Sequence, residues 1–182
     1  MKSYLITDPK YYTEDISTFE KKLAEVFGKT KVDFALYRDK ENHSYAEFAE
    51  RFILACKKFG VKPMLHQDAA LAKLLGAYGV HLTSRQLEDV EAAKSLGLFT
   101  VASTHTYEEL EFAASKGADA VTYSPIFATP NKGEPKGLDD LCKTVRQASL
   151  NIIALGGITT DEEVKAVEKC GVFAFASIRY FL

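Results

Sequence analysis

Eight short apolar runs, at residues 3–7, 34–37, 61–66, 79–82, 99–103, 120–123, 152–155 and 173–176, are separated by seven segments of helical periodicity. The connections are only a few residues long, so the hydrophobic period switches repeatedly between 2 and 3.6. Regular alternation of this kind predicts a parallel sheet with its helices outside, and eight units predict closure into a (β/α)8 barrel. The clearest helix covers 45–59, where Tyr45, Phe48, Ala49, Phe52, Ile53, Cys56 and Phe59 trace one stripe. Other helical segments fall at 15–27, 69–75, 86–96 and 138–147, and behind two further starts at Thr106 and Thr160. Ser44 with Glu47, Thr106 with Glu109 and Thr160 with Glu163 all have capping-box spacing.

Eight units in 182 residues make a stripped barrel, read as one domain over 1–182. After the last strand only residues 178–182 remain, too few for a full closing helix. Either Tyr180, Phe181 and Leu182 fold back over that side, or a second copy covers it; the homodimer is the hypothesis.

Net charge of −2 gives no basic face for nucleic acid, and no apolar run is long enough to span a membrane. The first residues, MKSYLITDP, lead directly into a strand without the pattern of a signal peptide, so the chain reads as soluble and cytoplasmic. Cys56, Cys142 and Cys170 have neither CxxC spacing nor a neighbouring His, and read as three reduced, partly buried thiols.

In barrels of this kind chemistry gathers where the strands end. The residues at or just past those ends include Arg38 and Lys40, His66, His81, Ser103 and His105. They continue with Thr129, Asn131 and Lys132 in a loop stiffened by three prolines, then Gly156, Gly157 and Ser177. Loop amides and cations converging on one rim predict a phosphorylated ligand. Gly156 and Gly157 precede a capped helix start and read as a phosphate cradle. Arg38 and Lys40 read as anion ligands. Histidine titrates near neutral pH, which makes His66, His81 and His105 the acid–base candidates. His81 equally fits a hydrogen-bonded core residue, and His105 equally fits a turn former.

SPIFATPNK at 124–132, paired with ALGGIT at 154–159 and accompanied by LIT, AYGVHL and GLDDL, resembles the family of thiamine phosphate synthase and the thiazole tautomerase of thiamine biosynthesis. The likeness covers nearly the whole chain. It implies a TIM barrel acting on small phosphorylated thiazole or pyrimidine substrates. By this resemblance Arg38 and Lys40 match the family's basic pair, and Thr129, Asn131 and Lys132 its diphosphate loop. Ser103 matches a site serine, and Gly156, Gly157 and Ser177 match its phosphate-binding turns.

Synthase chemistry also implies Mg²⁺ on carboxylates after the third and fourth strands. Here His66-Gln67 and Thr83-Ser84-Arg85-Gln86 stand in those places, and Asp68 or Asp89 would substitute only by a shift of register. No metal ligand is therefore assigned, and Mg²⁺ enters only under the synthase reading. The preferred expectation is metal-independent proton transfer on a phosphorylated thiazole; Pro125 occupies the position of the tautomerase histidine, and His66, which directly follows a strand end, is the foremost replacement. The alternatives are the synthase reaction itself, with release of pyrophosphate, and a barrel that only binds a phosphate of this pathway.

Overall fold

The computed structural model describes residues 1–12 and 15–182, and its eight strands close in sequence order into a parallel barrel. The strands are β1 (Lys2–Ile6), β2 (Phe34–Tyr37), β3 (Lys62–His66), β4 (Gly79–Leu82), β5 (Phe99–Thr104), β6 (Ala120–Tyr123), β7 (Asn151–Leu155) and β8 (Ala174–Ser177). Closure comes from β1 pairing with β8, Lys2 opposite Ala174 and Leu5 opposite Ser177. The helices are α1 (Pro9–Tyr12), α2 (Ile16–Lys29), α3 (Tyr45–Lys58), α4 (Ala69–Leu75), α5 (Val90–Ser95), α6 (Tyr107–Ser115), α7 (Gly137–Gln147) and α8 (Asp161–Glu168).

Alternation along each strand sorts the apolar side chains into two cores. Tyr4, Ile6, Phe34, Leu36, Met64, Val101, Ala120, Ile153, Ala174 and Ala176 meet inside the barrel. Their strand neighbours, among them Leu5, Leu65, Val80, Ala102 and Val121, face the helices. Phe34 is the hub of an aromatic plug in the barrel, with ring centroids 5.6 Å from Phe99, 6.0 Å from Phe173 and 6.1 Å from Tyr4. At Gly79 the interior tolerates no side chain, because a Cβ would lie 2.0 Å from the Phe99 carbonyl oxygen. The barrel is therefore filled, and only its mouth can receive a ligand.

Several local features depart from the sequence pattern. Ser44 makes no side-chain cap on α3; its own N–H instead donates to Asn42 Oδ1 at 2.8 Å. The helix expected over 86–96 is split into a 3₁₀ segment, Ser84–Asp89, and α5, with non-helical backbone at Gln86. Thr83 and Gln86 form a capping box there. The box at Thr160 and Glu163 is complete, whereas Glu109 reaches back one residue further than Thr106, to the His105 N–H at 2.6 Å.

The chain end folds back within the same chain. A short 3₁₀ turn, Arg179–Phe181, buries Phe181 against Phe175, with stacked rings 5.8 Å apart.

The reading of three reduced thiols is corrected. Cys142 on α7 and Cys170, just past α8, form a disulfide across 28 residues, and only Cys56 is free and buried. Their Cα atoms are 4.5 Å apart because these neighbouring helical units pack side by side. Sequence spacing carries no sign of that packing.

Candidate functional site at the barrel mouth

Three sectors make up the mouth. Around β1 and β2, a cavity of about 610 Å³ is lined by Asp8, Pro9, Arg38, Asp39, Lys40, Glu41, Asn42 and His43. Thr7 Oγ1 accepts from the Arg38 N–H at 2.9 Å, which fixes the chain as it leaves β2. The Arg38 guanidinium stands 3.9 Å from the Asp8 carboxylate, with both side chains partly in solvent, so the cation is held in place without being saturated.

Beyond the β1–β8 seam, around β6 to β8, Thr129, Gly156, Gly157, Ile158, Thr159, Ser177 and Arg179 help line a pocket of about 100 Å³. Backbone builds this sector. Ile126 N–H donates to Leu155 oxygen at 3.0 Å and Phe127 N–H to Gly156 oxygen at 3.0 Å, which sews the loop after β6 to the turn after β7. Gly156 and Gly157 have φ of +105° and +68°, and a Cβ at Gly157 would lie 2.7–2.9 Å from Phe127 and the Ala128 oxygen. Ser177 Oγ donates to Ile158 oxygen at 2.6 Å and accepts from Tyr180 N–H at 3.2 Å, so its hydroxyl braces the pocket wall. Thr129 hydroxyl donates to Phe127 oxygen at 3.0 Å and shapes the same loop.

The third sector spans the ends of β3, β4 and β5. His66 and His81 are register partners on β3 and β4, and both are buried. Tyr45 on α3 ties the preceding strand ends together, accepting the His66 N–H at 3.1 Å and donating to the Tyr37 oxygen at 3.1 Å. Burial, reinforced by Arg38 and Lys40, lowers the His66 pKa to about 4. Burial, with His66 and Arg38 adding to it, lowers that of His81 to about 3. Both imidazoles are accordingly neutral at pH 7 and poor proton acceptors. His81 Nε2 lies 3.1 Å from Ser103 Oγ and its Nδ1 2.9 Å from Tyr4 OH.

His105 stands apart from this group. Its Nδ1 is 3.2 Å from the Ser124 carbonyl oxygen and its N–H is taken by Glu109, which joins the β5 and β6 ends. Asn131 and Lys132 are exposed on the loop after β6, where the Lys132 N–H donates to Thr129 oxygen at 3.2 Å. Neither lines the 100 Å³ pocket, which this loop reaches through Thr129. Asp8, Asn42, His43 and Arg179 line the two pockets without having been singled out by the sequence. The Asp8-Pro9 turn after β1 and the cation directly after β8 were the available signals.

The residues present do not fit Mg²⁺, which favours carboxylate oxygens. Gln67 and Gln86 carry neutral amides, and Gln86 Nε2 donates to the Gln67 carbonyl oxygen at 3.1 Å while its Oε1 accepts from Thr83 N–H at 3.1 Å. Asp68 is engaged as the cap of α4, accepting from Leu71 N–H at 2.8 Å. Among the described residues no three His, Cys, Asp or Glu side chains are grouped to hold a metal. No described helix is long and apolar enough to cross a membrane.

Comparison with known proteins agrees with the barrel fold. The family model described as thiamine monophosphate synthase matches residues 3–181. A thiamine-phosphate synthase of Anaeromyxobacter dehalogenans is 38% identical over 139 residues, covering 74% of this chain and 62% of that protein. The alignment thus spans less than two thirds of that relative. Putative thiamine-phosphate synthase 2 of Aquifex aeolicus is 30% identical over 183 residues, covering 98% and 96% of the two chains. Among solved structures, a thiamine phosphate pyrophosphorylase from Pyrococcus furiosus superimposes with a TM-score of 0.82 at 26% identity, over 97% of this chain and 85% of that one.

Proposed function

Because the chain belongs to the thiamine monophosphate synthase family, we propose that it is a transferase of thiamine biosynthesis that joins a pyrimidine methyl diphosphate to a thiazole phosphate. The C–O bond to the diphosphate breaks, pyrophosphate leaves with the bonding electrons, and the thiazole nitrogen closes on the pyrimidine methylene. One observation supports this reading over proton transfer on a single substrate: the mouth has two separate cavities of unlike construction, each of which we read as an anion site. The small glycine-walled pocket suits a phosphate monoester held by amide N–H groups. In the larger cavity, where Arg38 and Lys40 stand among Asp8, Asp39 and Glu41, those two cations would take the diphosphate, whose greater charge calls for them. Lys132, exposed on the loop after β6, would add positive charge on that side of the mouth.

The histidines point the same way. Groups held neutral by burial serve poorly as the acid and base of a tautomerase, whereas in group transfer they can position and polarise without titrating. The amides after β3 and β4 do not supply ligands for Mg²⁺.

The test is release of pyrophosphate with formation of thiamine phosphate when both substrates are present, measured with added Mg²⁺ and again with EDTA. Release that requires both substrates is expected. Aromatisation of a thiazole carboxylate phosphate without pyrophosphate release would replace this reading with the tautomerase.

A further inference from the structure

Tyr4 is 1% exposed inside the barrel, 77 residues from His81 in sequence, and among the described residues its hydroxyl has one hydrogen-bond partner, His81 Nδ1 at 2.9 Å. The rings are stacked with centroids 5.7 Å apart, so the pair is held by packing as well as by the hydrogen bond. On its other side His81 Nε2 meets Ser103 Oγ at 3.1 Å. Ser103 is half-buried at the carboxyl end of β5, on the face of that strand that includes Val101 and looks into the barrel.

Two proton arrangements are consistent with these distances. If Nδ1 carried the proton, it would donate to Tyr4, and the buried Tyr4 O–H would be left without an acceptor, a costly state for a polar group out of water. If Nε2 carries it, Tyr4 donates to Nδ1 and Nε2–H donates to Ser103 Oγ, so every buried donor is satisfied. A doubly protonated ring is opposed by burial and by His66 and Arg38 nearby.

We propose that Tyr4 is a positioning residue that fixes His81 as the Nε2–H tautomer and thereby makes Ser103 a hydrogen-bond donor toward an acceptor atom of the substrate at the barrel mouth. With the other tautomer Ser103 would spend its proton on His81 and could only accept from a ligand. The Tyr4–His81–Ser103 chain therefore selects a ligand atom that accepts, such as a ring nitrogen or a phosphate oxygen. The inference rests on the proposed substrates for its ligand. It does not rest on them for the tautomer.

The tautomer is read in the ligand-free protein by long-range ¹H–¹⁵N correlation on ¹⁵N-histidine-labelled material at pH 7, with His81→Asn used for assignment. The expected result is an unprotonated Nδ1 and a protonated Nε2, giving way to mixed tautomers in Tyr4→Phe. Calorimetry with thiamine phosphate then compares Tyr4→Phe, Ser103→Ala and the double variant. Each single change is expected to weaken binding about fivefold, with the double variant no weaker than Ser103→Ala. A wild-type His81 carrying its proton on Nδ1, a tautomer unmoved in Tyr4→Phe, or losses that multiply in the double variant would overturn the proposal. The wild-type spectrum decides even if Tyr4→Phe does not fold. Absence of turnover with both substrates would instead defeat the proposed function and leave this spectrum unchanged.

Discussion

Across the barrel mouth, the β6–β8 sector forms its pocket from backbone, whereas the β1–β5 sector forms its surface from side chains. In the first, glycine amides and strand-end carbonyls set the shape, and the side chains of Ser177 and Thr129 brace the wall. In the second, the groups proposed to act are the side chains of Arg38, Lys40, His66, His81 and Ser103, and Tyr4, Thr7 and Tyr45 hydrogen-bond to His81, Arg38 and His66. The backbone sector should therefore tolerate side-chain trimming and fail when a Cβ is added. The side-chain sector should behave the other way.

Gly157→Ala is the largest expected breach. A left-handed φ of +68° and contacts under 3 Å to Phe127 and Ala128 add backbone strain to overpacking. A cost of about 2–5 kcal/mol in unfolding free energy follows, with loss of thiazole phosphate binding, to be read by urea denaturation and calorimetry. A Gly157→Ala protein of unchanged stability and affinity would show that the pocket is not backbone-built.

In the other sector the two histidines should make stability depend on pH. Their folded pKa values, about 4 and about 3, lie below the ordinary value of 6.5, so the unfolded chain binds more protons throughout that range. Stability is then full above pH 6.5 and is lost as pH falls towards the folded values. Between pH 7 and pH 5 the loss is about 2 kcal/mol for each histidine, measurable as a falling urea midpoint. A flat profile would mean that these imidazoles are not desolvated.

Arg38→Ala removes a charge-assisted partner of a diphosphate and should weaken pyrophosphate binding by about 1.5 kcal/mol, or more than tenfold, leaving thiazole phosphate affinity unchanged. Lys132→Ala, on an exposed loop where the charge is screened, should weaken pyrophosphate by no more than about threefold. Equal losses of both ligands in either variant would merge the two sectors into one site.

The contrast also governs what could be read without coordinates. The strands were legible because period-2 and period-3.6 patterns alternate cleanly, so that 34–37, 79–82 and 120–123 match β2, β4 and β6 to the residue. The backbone pocket was legible too, since a Gly-Gly pair at a strand end signals a turn that excludes Cβ. Residue type alone marked Arg38, His66 and His81, but their protonation depends on burial that no local pattern carries. Tyr4 in an apolar strand reads as core packing, and its partner His81 arrives only when β1 and β4 meet across the barrel. The Cys142–Cys170 bond was hidden for the same reason, and Ser44 does not cap α3 because its backbone, at φ −101° and ψ 29°, lies outside the extended region in which an N-cap hydroxyl faces the first turn. Gln86 interrupts an otherwise helical pattern because its side chain is held by Thr83 and the Gln67 carbonyl.

The central claim is that one rim carries two anion sites that can be filled together. Calorimetric titration of pyrophosphate into protein already saturated with thiazole phosphate tests it directly. The account predicts that pyrophosphate still binds, with Arg38→Ala reducing only that second event and Gly157→Ala abolishing only the first. Strict competition between the two ligands would contradict it.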